Sequence, residues 1–172
     1  ERCLDHPRRW AGPDLGGWTG GDIWESSQVL ARLLAARPSL IAGKRVVELG
    51  CGCGLLGLTA AGLGVASEVV LTDQVLFMAQ RNLERNFSAE ERAAGGVRVA
   101  QLSWGSADDI WGLLDSSDAA GFDVLMGADI IYHAESHGAL AETLSALSHD
   151  GSVVLWATQV RTPPPPPLPT PH

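Results

Sequence analysis

The run Val46-Val47-Glu48-Leu49-Gly50-Cys51-Gly52-Cys53-Gly54 constrains the fold more than any other segment of the chain. Strand-forming sequence from Arg45 to Leu49 leads straight into glycine at alternate positions, and helix-forming sequence follows from Leu55 to Leu63. Glycines let a backbone turn sharply and come close to a ligand, and a helix N-terminus offers unsatisfied amide hydrogens. The segment therefore predicts a strand-loop-helix unit with a ligand at its turn. A dinucleotide pyrophosphate calls for G-x-G-x-x-G, but the third glycine position is Leu55. That mismatch favours a ligand with a zwitterionic amino-acid tail over a dinucleotide: loop amides would receive the carboxylate, and Glu48 would help hold the ammonium.

The same unit recurs along the chain. A helical pattern from Ile23 places Trp24, Val29, Leu30, Leu33 and Leu34 on one broad face and stops at Pro38. Further strands are predicted at Glu68 to Thr72, Val97 to Leu102, Phe122 to Gly127 and Ser152 to Thr158. Helices are predicted between them at Val75 to Phe87, Ala107 to Leu114 and His137 to Leu147. Strands that are apolar almost throughout, separated by helices, imply a mainly parallel sheet covered on both faces. The expected fold is α/β, a Rossmann-like doubly wound sheet over residues 23–161. Residues 1–22 form an irregular lead-in, and the Pro-rich run 162–172 reads as polyproline II or disordered tail, with weak potential as a ligand for a Pro-binding domain.

Bulk properties narrow the function classes. The chain has 172 residues, enough for one domain with a real core, and 45% are hydrophobic against 19% charged. A net charge of -8 without a Lys/Arg stripe argues against nucleic acid as partner, and an acidic surface suits a basic protein partner. No apolar run reaches the roughly 20 residues that span a bilayer, so no membrane partner is expected. Cys3, Cys51 and Cys53 are too few and too clustered for a disulfide framework, which points to a reducing compartment, the cytoplasm first and the nucleus second. Cys51-x-Cys53 supplies only two zinc ligands, and His133 and His137 lack a third, so no metal is expected.

Two further positions carry chemistry. Asp73 closes the second strand 21 residues after Gly52, the spacing of an acidic residue that takes ribose hydroxyls; a helix cap explains it equally well in isolation. The run Phe122 to Tyr132 delivers Asp129 and Tyr132 past the carboxyl end of a strand, where open α/β sheets bind ligands. Trp104 lies past the third strand on the same edge and could face a flat base or simply fill core.

Together, D-I-W-E-S-S at 22–27, V-V-E-L-G-C-G-C-G-L-L-G-L at 46–58, L-T-D ending at Asp73, L-S-W-G at 102–105, G-A-D-I-I-Y at 127–132 and V-V-L-W-A-T-Q-V-R at 153–161 resemble a known group. They are similar to the seven-β-strand S-adenosylmethionine-dependent protein methyltransferases of the methyltransferase-like lysine-modifying group, family 16 type. The resemblance implies S-adenosylmethionine as cofactor. It implies Trp24 near the methionine end, Gly50, Cys51 and Gly52 along the methionine moiety, Asp73 on the ribose, Trp104 on the adenine and Ala128 beside the cofactor. Asp129 and Tyr132 match a D-x-x-Y element near the target amine and are the expected catalytic pair. The expected activity is methyl transfer to a protein side-chain nitrogen, lysine first, with histidine or arginine as alternatives. The group continues past the fifth strand with a helix and two antiparallel strands where the Pro-rich run stands here. The expectation is thus a C-terminally truncated form, with a catalytically silent cofactor-binding or interaction module as the alternative function.

Overall fold

Five strands carry the architecture: β1 (Arg45–Leu49), β2 (Glu68–Asp73), β3 (Val97–Gln101), β4 (Val124–Ala128) and β5 (Val153–Ala157). They form one sheet in the order β3-β2-β1-β4-β5, and every pairing is parallel. The structure is a computed structural model and describes residues 21–114, 121–131 and 133–160. Most of the lead-in, the Pro-rich run and Tyr132 lie outside the described residues.

Among the described residues six α-helices accompany the strands: α1 (Glu25–Ala36), α2 (Leu55–Gly62), α3 (Phe77–Asn86), α4 (Ala89–Gly95), α5 (Ala107–Leu113) and α6 (His137–Leu147). The period-2 alternation of a strand splits each one between two cores. Val46, Val69, Leu71, Val124 and Met126 meet Leu30 and Leu34 of α1, Leu56 and Leu58 of α2, and Ala79 and Leu83 of α3. Val47, Leu49, Val70 and Leu125 meet Ile110 and Leu113 of α5 and Leu140 and Leu147 of α6 on the opposite face. Each fully buried Leu or Val contributes about 1.5–3 kcal/mol, so a sheet clad on both faces must read as apolar throughout. Within β1, Glu48 breaks the pattern with a buried side chain, and Arg45 stands half-buried at the strand's start.

The doubly wound order confirms the sequence expectation, with two local differences, while α1 ends before Pro38 as expected. The helix after β2 starts at Phe77 rather than Val75, because Asp73 Oδ1 accepts the Val75 amide hydrogen at 3.1 Å and holds 73–75 in a turn. An additional short helix, α4, precedes β3. Ser88 Oγ accepts from the Glu91 amide and Glu91 Oε2 accepts from the Ser88 amide, a reciprocal cap that the S-x-x-E spacing encodes. At the end of α1, Arg37 leaves helical geometry and Pro38 opens a short 3-10 turn. Among the described residues β5 pairs only with β4, and Val153 and Val154 are about half exposed on it (50% and 47%). No helix of the described residues is long and apolar enough to cross a membrane.

Candidate functional site

The strand order reverses between β1 and β4: β1 runs on to β2 on one side, while β4 and β5 lie on the other. Loops that leave two neighbouring strands in opposite directions open a crevice at their carboxyl ends. A cavity of about 320 Å³ occupies that point, within the range of roughly 300–1,000 Å³ typical of small-molecule sites. Trp24, Glu48, Gly50, Cys51, Gly52, Asp73, Trp104, Ala128 and Asp129 all line it. The structure thus gathers into one cleft every predicted site residue that it describes.

The glycine loop forms its floor. Gly50, Gly52 and Gly54 have φ of 64°, 54° and 84°, the left-handed region that a side chain rarely tolerates. A Cβ on Gly50 would also lie 2.8 Å from Ile130 Cγ2 and 3.5 Å from Trp104 Cζ2, so the glycine keeps the cleft open between the β1 loop and the β4 end. The loop is pinned from three directions. Cys51 N–H donates to Thr72 O at 2.8 Å, Gly52 N–H donates to Asp73 Oδ2 at 2.8 Å, and Asn82 Nδ2 donates to Cys53 O at 2.8 Å. Asn82, fully buried on α3, was not singled out by sequence; a polar residue on the apolar face of a helix is the signal that marks it.

Asp73 is not the N-cap of α3, since that helix begins two residues after the turn Asp73 closes. One carboxylate accepts from both Gly52 and Val75, leaving acceptor positions for a ligand, because a carboxylate offers about four. Glu48 Oε2 accepts the Gly57 amide hydrogen at 2.7 Å. Burial pushes its carboxyl up to about 8; the Gly57 bond opposes that shift and the Asp73 charge adds to it. Cys51 and Cys53 are buried free thiols, and burial raises both. They serve as small loop side chains rather than nucleophiles. Among the described residues no three His, Cys, Asp or Glu side chains come together as metal ligands.

The opposite wall comes from β4 and α1. Asp129 is the non-glycine residue with positive φ among the described residues, at 53°, and its side chain is buried. Its Oδ2 accepts from Ser26 Oγ at 2.7 Å, and its Oδ1 accepts from Gln159 N–H at 2.7 Å and Thr158 Oγ1 at 3.4 Å. Trp24 caps α1 with its carbonyl, which accepts from the Ser27 hydroxyl at 2.7 Å. His133, Ser136, Ser27, Gln74 and Asp22 complete the lining. His133 drew attention in the sequence only as an incomplete metal-ligand pair with His137. It is exposed and pairs with Glu135 at 3.5 Å, yet it also stands at the cleft.

Four acidic side chains, Asp22, Glu48, Asp73 and Asp129, line the cleft, Glu48 with its carboxyl raised to about 8, and no Lys or Arg among the described residues does. Such a lining repels phosphates and attracts cations. Solved structures share this fold: a glycopeptide N-methyltransferase, MtfA, superposes with TM-score 0.57 at 18% identity over 78% of this chain and 54% of its own. A coclaurine N-methyltransferase superposes with TM-score 0.53 at 17% identity, over 77% of this chain and 35% of its own. The architecture is a Rossmann-like, doubly wound α/β fold.

Within that class, residues 8–164 match the family described as lysine methyltransferase, and the chain belongs to it. The protein N-lysine methyltransferase METTL21A of Danio rerio is 34% identical over 139 residues, 81% of this chain and 60% of the relative. The calmodulin-lysine N-methyltransferase of Arabidopsis thaliana is 36% identical over 129 residues, 72% of this chain and 39% of the relative. The chain spans about 60% of the length of the METTL21A relatives it matches.

Proposed function

We propose that this chain binds S-adenosylmethionine and directs its methyl group to a lysine side-chain nitrogen of a protein. The observation that carries the reading is the cleft itself: a floor of glycines and small thiols beside four acidic side chains, at the switch point of the sheet. Its residues fit a ligand that is cationic and has an amino-acid tail. Glu48 and the Gly50-Cys51-Gly52 backbone would hold the methionine end beside Trp24, Asp73 the ribose, Trp104 the adenine, and Ala128 would border the cofactor. When bound, S-adenosylmethionine supplies a methyl already activated by its sulfonium, so the protein's task is alignment and exclusion of water.

A lysine amine must be neutral to attack, and its ordinary pKa near 10.4 makes proton loss the obstacle. The apolar wall formed by Trp24, Leu102, Trp104 and Ile130 favours the neutral form by desolvation. Asp129 stands at this wall with an acceptor position left over to orient the amine. Tyr132, the other half of the D-x-x-Y pair, completes the catalytic proposal from sequence. The buried free thiols of Cys51 and Cys53 support a reducing location, cytoplasmic first.

The test is incubation of the chain with S-adenosylmethionine labelled in its methyl group and a protein extract, followed by acid hydrolysis. Label in methyl-lysine is expected. Label only in histidine or arginine overturns the acceptor. Binding by calorimetry without transfer leaves a silent cofactor-binding module, and no binding overturns the whole reading.

A further inference from the structure

The Asp129 side chain joins three elements that sequence places far apart. Ser26 lies in the first turn of α1, Asp129 just after β4, and Thr158-Gln159 just after β5. Ser26 Oγ donates to Asp129 Oδ2 at 2.7 Å across a sequence separation of 103, and the Ser26 side chain is buried (6% exposed). From the other side, Gln159 N–H donates to Oδ1 at 2.7 Å. The Asp129 amide in turn donates to Ala157 O at 2.9 Å, so backbone and side chain of one residue both hold the end of β5. The left-handed backbone at Asp129 directs its carboxylate back toward α1 rather than onward along the strand.

This arrangement matters for the cleft because α1 supplies part of it. Trp24 and Ser27, immediately on either side of the Glu25-Ser26 pair, line the cavity, and Ala128, Asp129 and Ile130 line it from β4. A charge-assisted hydrogen bond made in a buried place is the strong kind, and its direction fixes both partners.

The geometry points to Ser26 as a positioning residue: its hydroxyl holds the Asp129 carboxylate and thereby sets the first turn of α1, with Trp24 and Ser27, against the β4 wall. This rests on the cofactor reading above and extends it to a residue that touches no ligand. Removing the hydroxyl leaves Asp129 buried with one acceptor unmatched, and the first turn of α1 loses its hydrogen bond to the wall while the helix stays packed through Leu30 and Leu34. The cofactor affinity then falls although every group that would contact the cofactor is still present.

The experiment measures S-adenosylmethionine affinity by calorimetry on the full chain and four variants shown to be folded by circular dichroism: Ser26→Ala, Ser26→Thr, Asp129→Ala and the Ser26→Ala/Asp129→Ala double variant. Ser26→Ala should weaken binding roughly tenfold, the scale of one lost hydrogen bond to a charged group. Ser26→Thr, which keeps the hydroxyl, should recover affinity to within about threefold of the parent. Ser26→Ala added to Asp129→Ala should cost nothing further, since the partner is already gone. If Ser26→Ala does not fold, Ser26→Cys, of similar size but a weak donor, takes its place. A purely structural serine predicts lower thermal stability with unchanged affinity, and that result overturns the proposal; so do equal, additive losses in the double variant. A parent chain that binds no S-adenosylmethionine overturns the cofactor reading instead, an outcome visible before any variant is compared.

Discussion

Glu48 and Gly57 meet across the glycine loop, a carboxyl oxygen of one accepting the amide hydrogen of the other at 2.7 Å. This bond joins β1 to the first turns of α2 from inside the core, and it ties loop geometry to a titrating group. Burial raises the Glu48 carboxyl from its ordinary 4.5 to about 8, so the folded chain keeps a proton there that the unfolded chain releases. Its contribution to stability is fully present below about 4.5 and is lost as pH rises through about 8. Denaturant midpoints should therefore fall across that window, and Glu48→Gln, which still accepts from Gly57, should flatten the decline. A variant with the parent's pH profile would show that another group titrates.

The same carboxyl faces the cleft, so a cation bound there favours its charged form. S-adenosylmethionine affinity is expected to rise as pH approaches 8, and Glu48→Gln should lose most of that rise. Calorimetry at two or three pH values in one ionic strength checks it.

Gly57 has no room for a side chain. A Cβ would lie 2.5 Å from Glu48 Oε2 and 2.5 Å from Leu71 Cγ, both held in a packed interior. Gly57→Ala should destabilise the fold by about 1–3 kcal/mol despite alanine's better helix propensity. An increase in the unfolding midpoint would contradict the packing described.

Asp73 carries two duties that one substitution can separate. Asp73→Asn keeps an acceptor for Gly52 or Val75, whereas Asp73→Ala releases both amides. The alanine variant should lose about 1–2 kcal/mol of stability, and both variants should lose affinity for S-adenosylmethionine if the carboxylate takes the ribose. Retention of full affinity in Asp73→Asn would assign Asp73 to the loop alone.

Asp129 can be tested by backbone and side chain together. Asp129→Ala places a Cβ-bearing residue without local hydrogen bonding at φ 53° and orphans the Ser26 and Gln159 donors. It should lose at least about 2 kcal/mol. Asparagine tolerates this backbone and can accept from Gln159 while donating to Ser26 Oγ, so Asp129→Asn should lose under about 1 kcal/mol. Comparable urea midpoints for the two variants would remove the side-chain bridge from the account.

The sheet and the cleft floor were legible in the sequence because each rests on local grammar. Apolar runs bounded by glycine named the strands, and alternate glycines named the loop. Gly50, Gly52 and Asp73 sit in the cleft because strand ends and chain spacing alone dictate it. Ser26, Asn82 and His133 were not legible, since their roles depend on partners 29 to 103 residues away or on where a loop comes to rest. The position of Asp129 was readable from the end of its strand. Its bonds to α1 and β5 were not, because no spacing rule links residue 26 to residue 159. The short helix α4 was readable from Ser88 and Glu91, and its brevity hid it.

Because β4 enters the sheet beside β1 rather than beside β3, the middle of the sheet closes late in the chain. Arg45 N–H and Asp123 Oδ2 bond at 2.8 Å across 78 residues, at the start of that seam. The first half, β1 to β3, consists of near-neighbour units that can assemble while β4 is still being synthesised; the β1–β4 junction carries the larger loop-closure entropy. The cleft lies on this junction, with its glycine floor on one half and Ala128 and Asp129 on the other. A small molecule held there acts as a rivet between an early-folding and a late-folding half. Its protection against hydrogen exchange should be greatest in β4 and β5, far beyond the few residues it touches.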